Sequence, residues 1–163
     1  MNSRRNALIN WYENEIRSSE QMINAIPDQK IRTKVHPKVR TIGELGIHLA
    51  DSILDLAKSL SSGSVIFSEP SKVPDTGSEI LAYYRSCANE FLGVAGGLTE
   101  EQLKMKYKFE INGQVIWEPD GYEFMSGYFC HEIHHRGQMV VVLRLLGEKV
   151  PGLYGPTGDE LPV

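Results

Sequence analysis

At 163 residues the chain has a one-domain length, read as a single domain over 1–163 able to bury a core without metal or disulfide staples. Seventeen basic against twenty-one acidic side chains give a formal charge of -4, with no block of five or more Lys and Arg, which argues against a nucleic-acid partner. Cys87 and Cys130 form no CxxC pair, so neither a disulfide framework nor a zinc ribbon is expected, and a reduced compartment is the simplest reading.

The basic start at 1–5 meets Glu13 and Glu15 before any apolar stretch, so no secretory signal is expected. A first helix is predicted from about Arg4 to Ala25. Leu8, Tyr12, Ile16, Ile23 and Ile26 recur near helical spacing, and Pro27 closes it. Thr41 with Glu44 fits a capping box and starts a second helix near residue 42. That helix carries Leu45, His48, Leu49, Ser52 and Leu56 on one face and breaks at Ser61-Ser62-Gly63-Ser64. Thr76 with Glu79 starts a third near residue 77, with Ile80, Leu81, Tyr84, Ala88, Phe91 and Leu92, fading into Gly93 and Gly96-Gly97.

From Lys104 to Ile111 charged and apolar residues alternate, reach Asn112-Gly113 and return through Gln114 to Trp117. Asn-Gly between such runs signals a hairpin, because a type I′ turn needs positive φ at both central residues. Its Met105, Tyr107, Phe109 and Ile111 face is expected to cover part of the helices. Asp120 with Glu123 starts the last long helix near residue 121, running to about Leu146, where Gly147 and Pro151 stop it. Phe124, Tyr128, His131, His135, Gln138, Val142 and Leu145 form its three-four seam. Its longest apolar run, Met139 to Leu143, is far short of the about 20 residues of a membrane span. The fold class is all-α, a four-helix bundle with a small β-hairpin between helices three and four. The protein is expected in the cytoplasm, without a membrane partner.

The chemistry concentrates in the last helix. Residues four apart stack on one helix face, so His131 and His135 could grip one ion while His48 approaches from another helix. An unliganded imidazole on that apolar seam would otherwise need a buried partner. His134 competes for the same ion, but its stripe runs through Gly127, Cys130, Gly137 and Val141, small residues that suggest a close helix or subunit contact. The run His131-Glu132-Ile133-His134-His135 also matches HExxH, in which Glu132 would be the general base of a metalloprotease. That rival lacks a downstream carboxylate on the same helix to complete it. His36, before Pro37, is read as a plain loop residue.

Other residues near the triad carry blander expectations. Asp51 and Asp55 could each orient a ligand imidazole, although a solvated helix carboxylate is the preferred reading. Gln138 extends the seam and could bond a metal-held water or substrate. Arg136 is read as an ion-pair partner and Gly137 as a close-packing site. Tyr107, Trp117 and Tyr154 could wall a pocket, but simple packing is preferred and no catalytic residue is assigned.

The run His131-x-x-x-His135-Arg136-Gly137-Gln138, the stretch from Thr41 to His48 and the tail from Val150 to Pro156 ending near Asp159-Glu160 together resemble the DinB superfamily, which includes the YfiT-like proteins. The resemblance implies a four-helix bundle, usually a homodimer, with one divalent metal held by His48, His131 and His135. Nickel, zinc, iron or manganese is the implied ion. Better-understood relatives transfer or isomerise substrates with low-molecular-weight thiols such as bacillithiol or mycothiol. The expected function is therefore a metal-dependent thiol-S-transferase or hydrolase acting with a small thiol or on a small electrophile. A non-catalytic metal or small-molecule binding module and a dimeric interaction protein are the alternatives.

Overall fold

The computed structural model describes residues 3–161; the first two residues of the basic start, and both extremes of the domain expected over 1–163, lie outside them. The marked starts become helix caps. Thr41 Oγ1 accepts the Glu44 amide at 3.1 Å while the Glu44 carboxylate accepts the Thr41 amide at 2.6 Å, and the same reciprocal pair forms at Thr76/Glu79 and Asp120/Glu123. Each cap satisfies amides that a helix start leaves without partners and is worth about 0.5–2 kcal/mol.

The helices are α1 (Arg4–Asn24), α2 (Ile42–Ser62), α3 (Gly77–Gly97), a one-turn α4 (Glu100–Leu103) and α5 (Gly121–Leu145). The fourth long helix of the bundle is thus α5. Neither α4, capped by Thr99 and Gln102, nor the 3₁₀ turn at Asp28–Lys30 was expected, since single turns carry no apolar period.

α2 packs against α3 and α5, and α1 packs against the same two, so α1 and α2 sit diagonally although consecutive in the chain. Ile42, Leu45, Leu49 and Leu56 of α2 fill the centre with Tyr12 and Ile23 of α1, Tyr84 and Phe91 of α3, and Phe124 and Met139 of α5. Each large side chain buried there contributes about 1.5–3 kcal/mol. Gly43 lets α2 start close to the preceding loop. Its amide donates to Ile31 O at 3.0 Å, and a Cβ there would lie 2.8 Å from that oxygen.

The seam expected along α5 turns away at its end: Leu145 is 66% exposed, while Glu132, Arg136 and Leu143 are buried instead. A strict seven-residue repeat drifts by about 20° per heptad on a straight helix, so three heptads rotate Leu145 off the core face.

Strands β1 (Phe109–Ile111) and β2 (Gln114–Trp117) pair antiparallel across Asn112 and Gly113, which have φ of 51° and 76°. The hairpin covers less than expected. Tyr107 is buried and stacks on Phe124 at 5.5 Å, but Met105 and Ile111 are 60% and 48% exposed. The register shifts between Phe109 and Glu110, which breaks the alternation and carries the hairpin tip off the bundle. Among the described residues no helix is long and apolar enough to cross a membrane.

Candidate metal centre

His48 projects from the second turn of α2, and His131 and His135 lie one turn apart on the neighbouring α5. Nε2 of His135 is 3.1 Å from Nε2 of His48 and 3.0 Å from Nε2 of His131. One nitrogen from each ring lies within 4.8 Å of the other two. The three sequence-predicted ligands are therefore brought together at one point.

The protonation that this convergence permits favours a cation. Nδ1 of His135 faces Gln138 Oε1 at 2.8 Å, and because a carbonyl oxygen only accepts, Nδ1 carries the proton and Nε2 presents a lone pair. That single lone pair faces two other ring nitrogens. Nδ1 of His131 is buried with no hydrogen-bond partner, an orphan costing about 1–3 kcal/mol that a strong bond at Nε2 offsets. A divalent ion accepts three inward lone pairs at once; a proton does not. The donor set fits zinc, nickel or iron, each of which imidazole suits, better than manganese, which favours oxygen donors.

Burial first, and then the positive charge of Arg40 and the neighbouring histidines, push the His48 imidazole down to about 4. Burial, His135, His134 and Arg40 bring His131 to about 4 as well, and burial lowers His135 against the opposing pull of its Gln138 bond. All three rings are neutral at pH 7, the form a ligand requires.

Gln138 does not reach toward a substrate. Its oxygen fixes the His135 tautomer and its amide nitrogen lies 3.0 Å from Nε2 of the exposed His134. His134 meets the centre through Gln138 and through its ring, which packs edge-on to His135 at 5.1 Å, but it brings no nitrogen into the converging group.

Glu132 turns into the bundle core, toward α1 and α3. Fully buried, it accepts from Ser19 Oγ at 3.0 Å and from the Tyr84 hydroxyl, and burial raises its carboxyl above the usual range. Arg136 beside it donates to Glu15 O at 2.6 Å and Ser19 Oγ at 3.0 Å and pairs with the Glu15 carboxylate. The HExxH glutamate is consumed by the bundle core and cannot serve as a base at the histidines. Gly137 is not a packing site within the chain, as a Cβ there would meet nothing within 4 Å.

His48 and His131 open onto a cleft of about 720 Å³. Asp51 and Asp55 line it, but neither orients a histidine nor stands free in solvent. Asp55 accepts the Ser68 amide at 2.9 Å and its hydroxyl at 2.6 Å; Asp51, one turn earlier, accepts the Ser71 amide at 2.8 Å and its hydroxyl at 2.6 Å. The two carboxylates clamp the 64–75 segment against α2, making it a wall. Phe67 of that segment and Trp117 of the hairpin face the cleft, while Tyr107 packs on Phe124 and Tyr154 on Arg136. Sequence reasoning missed Ser68, Ser71 and Arg40, which carry no motif; only the four-residue spacing of Asp51 and Asp55 on the His48 helix hinted at a paired role.

A four-helix bundle with a convergent histidine triad at the head of a cleft defines the class. The chain belongs to the DinB family, whose model matches residues 1–161. It is 28% identical over 153 residues to the uncharacterized protein YrdA of Bacillus subtilis strain 168, covering 91% of this chain and 87% of that protein. Its fold is similar to a DinB-like protein from Bacillus cereus ATCC 10987 (TM-score 0.72, 23% identity, 90% of this chain and 95% of that one). It is also similar to YfiT from Bacillus subtilis, a probable metal-dependent hydrolase with an unusual four-helix bundle topology (TM-score 0.68, 18% identity, 88% of each chain).

Proposed function

We propose that this DinB-family protein is a divalent-metal-dependent enzyme of the hydrolase or thiol-S-transferase type, with His48, His131 and His135 as its metal ligands. The observation that carries the reading is the convergence of three neutral imidazoles at the head of a substrate-sized cleft. A structural clip would have no use for such an opening. The description of YfiT as a probable metal-dependent hydrolase supports it.

When bound, an ion held by three neutral imidazoles keeps its full double charge and acidifies a coordinated water or thiol. His48, His131 and His135 supply the lone pairs, and Gln138 keeps Nε2 of His135 unprotonated. Phe67 and Trp117 offer apolar walls to a substrate body. Glu44, Asp51 and Asp55, the carboxylates lining the cleft, each already accept hydrogen bonds that hold neighbouring chain in place, so none is given the role of general base.

The test begins with metal content of untagged protein purified without a nickel column. About one ion per chain, lost in His131→Ala, is expected; sub-stoichiometric metal unchanged by that substitution would remove the reading. Zinc-, nickel-, iron- and manganese-loaded protein is then assayed with a small electrophile and a panel of thiols, and with simple esters. Turnover above the His48→Ala control in either assay is expected, and turnover in neither overturns the enzyme reading.

A further inference from the structure

We propose that Arg40, with Lys38 beside it, makes the mouth of the histidine cleft a receptor for the anionic group, carboxylate or phosphate, of a small organic substrate with an apolar body. The inference rests on the cleft being the substrate site of the metal enzyme described above.

Three cations line the cleft, and one of them is already engaged. Lys34 Nζ donates to Val39 O at 3.2 Å and pairs with Glu44 at 2.7 Å, which pins the 34–40 loop to the first turn of α2. Lys38 and Arg40, presented by that loop, have no ion pair and no side-chain hydrogen bond among the described residues. The three carboxylates of the same lining are taken: Glu44 by Lys34 and the Thr41 amide, Asp51 by Ser71 and Tyr83, Asp55 by Ser68. Arg40 and Lys38 are thus the charged groups of the cleft left with an open valence for a ligand.

Arg40 lines the same cleft as His48 and His131. An anion seated on it therefore lies in the cavity onto which those two rings open. The planar guanidinium matches a carboxylate or phosphate with two parallel bonds, whereas Lys38 can add only a point charge. Phe67, Val39 and Trp117 supply apolar wall in the same cleft. The cleft volume of about 720 Å³ is of the size that buries most of a small organic ligand.

The test is calorimetric titration of EDTA-treated and zinc-loaded protein with phenylacetate, phenyl phosphate and the neutral phenylacetamide. Wild type is compared with Arg40→Ala, Arg40→Lys and Lys38→Ala. At least one anion should bind metal-free wild type about tenfold more tightly than the amide, the better anion naming the carboxylate or phosphate source. Arg40→Ala should abolish that preference, Arg40→Lys should keep part of it, and Lys38→Ala should weaken it less. Arg40 is exposed and unpartnered, so the variants should melt with the wild type; Arg40→Ala should also bind zinc more tightly, having lost a repelling charge. Equal affinity for all three probes, no measurable heat from any of them, or a preference that survives Arg40→Ala overturns the inference. One zinc per chain without an anion preference overturns the receptor alone; an anion preference without zinc uptake overturns the metal reading and leaves Arg40 assigned as an anion anchor.

Discussion

Gln138 lies between two histidines of its own helix, 2.8 Å from Nδ1 of His135 through Oε1 and 3.0 Å from Nε2 of His134 through Nε2. The amide is directional: its oxygen requires a proton on His135 Nδ1, and its nitrogen donates to His134. Gln138→Ala removes the acceptor that fixes the tautomer, and metal affinity should fall roughly 10–100-fold. Gln138→Glu, which still accepts at Nδ1, should retain most of it. Competition titration with a chelating indicator gives both constants, and an unchanged affinity in the alanine variant would show that the tautomer is set elsewhere.

The same chain of contacts ranks the histidines. His48→Ala and His135→Ala each remove a converging nitrogen and should weaken metal binding tenfold or more, about 1.4 kcal/mol per decade. His134→Ala removes a partner of Gln138 and a ring packed on His135 but no converging nitrogen, and should cost much less. Comparable losses at His134 and His135 would reassign the ligand.

How much of this was legible follows from range. Local signals carried over: the Thr41, Thr76 and Asp120 caps and the Asn112-Gly113 turn are set by residues within a few positions, and each forms as read. The pairing of His131 with His135 is equally local, whereas His48, a candidate from its place on another helix, was joined to them by the family resemblance. The second tier of contacts was illegible because it depends on tertiary placement. Nothing near Asp51 or Asp55 announces that Ser71 and Ser68, reached across the α2–α3 connection, will occupy them. Gly137 shows the converse, a small residue read as a packing site that meets open space within the chain.

Asp55 offers a test of the cleft wall apart from the metal. Asp55→Ala leaves the Ser68 amide and hydroxyl without their acceptor, and segment 64–75 should exchange amide hydrogens faster while α2 and α5 keep their protection. Zinc affinity should stay within a few-fold of wild type, because neither carboxylate touches a ring. Loss of the metal in this variant would mean that Asp55 supports a histidine after all.

Acid should weaken the metal-free protein through the triad. His48 and His131 hold protons less readily folded, at about 4, than unfolded, near 6.5. Above pH 6.5 both states are unprotonated there and these groups cost nothing. As pH falls from 6.5 toward 4 the unfolded chain takes up protons that the folded one refuses, so stability drops, and below about 4 the loss from these groups levels off. The melting temperature of EDTA-treated wild type should therefore fall more steeply over this window than that of a His48→Ala/His131→Ala variant. Parallel curves would contradict the lowered values.

Glu132 decides between the triad and the HExxH reading. Its carboxylate accepts from Tyr84 and Ser19 in the core, toward α1 and α3, with the Arg136 charge nearby offsetting its own. Glu132→Gln keeps the shape, loses one acceptor oxygen and the charge, and should cost about 1–3 kcal/mol of stability. Glu132→Ala should cost more, because both hydroxyls are left buried without an acceptor and a cavity opens beside Arg136. Neither change should move metal affinity by more than a few-fold, and turnover of the glutamine variant should follow its folded fraction. A glutamine variant that is fully folded and metal-loaded, yet loses turnover by several orders of magnitude, would return Glu132 to the chemistry as a base.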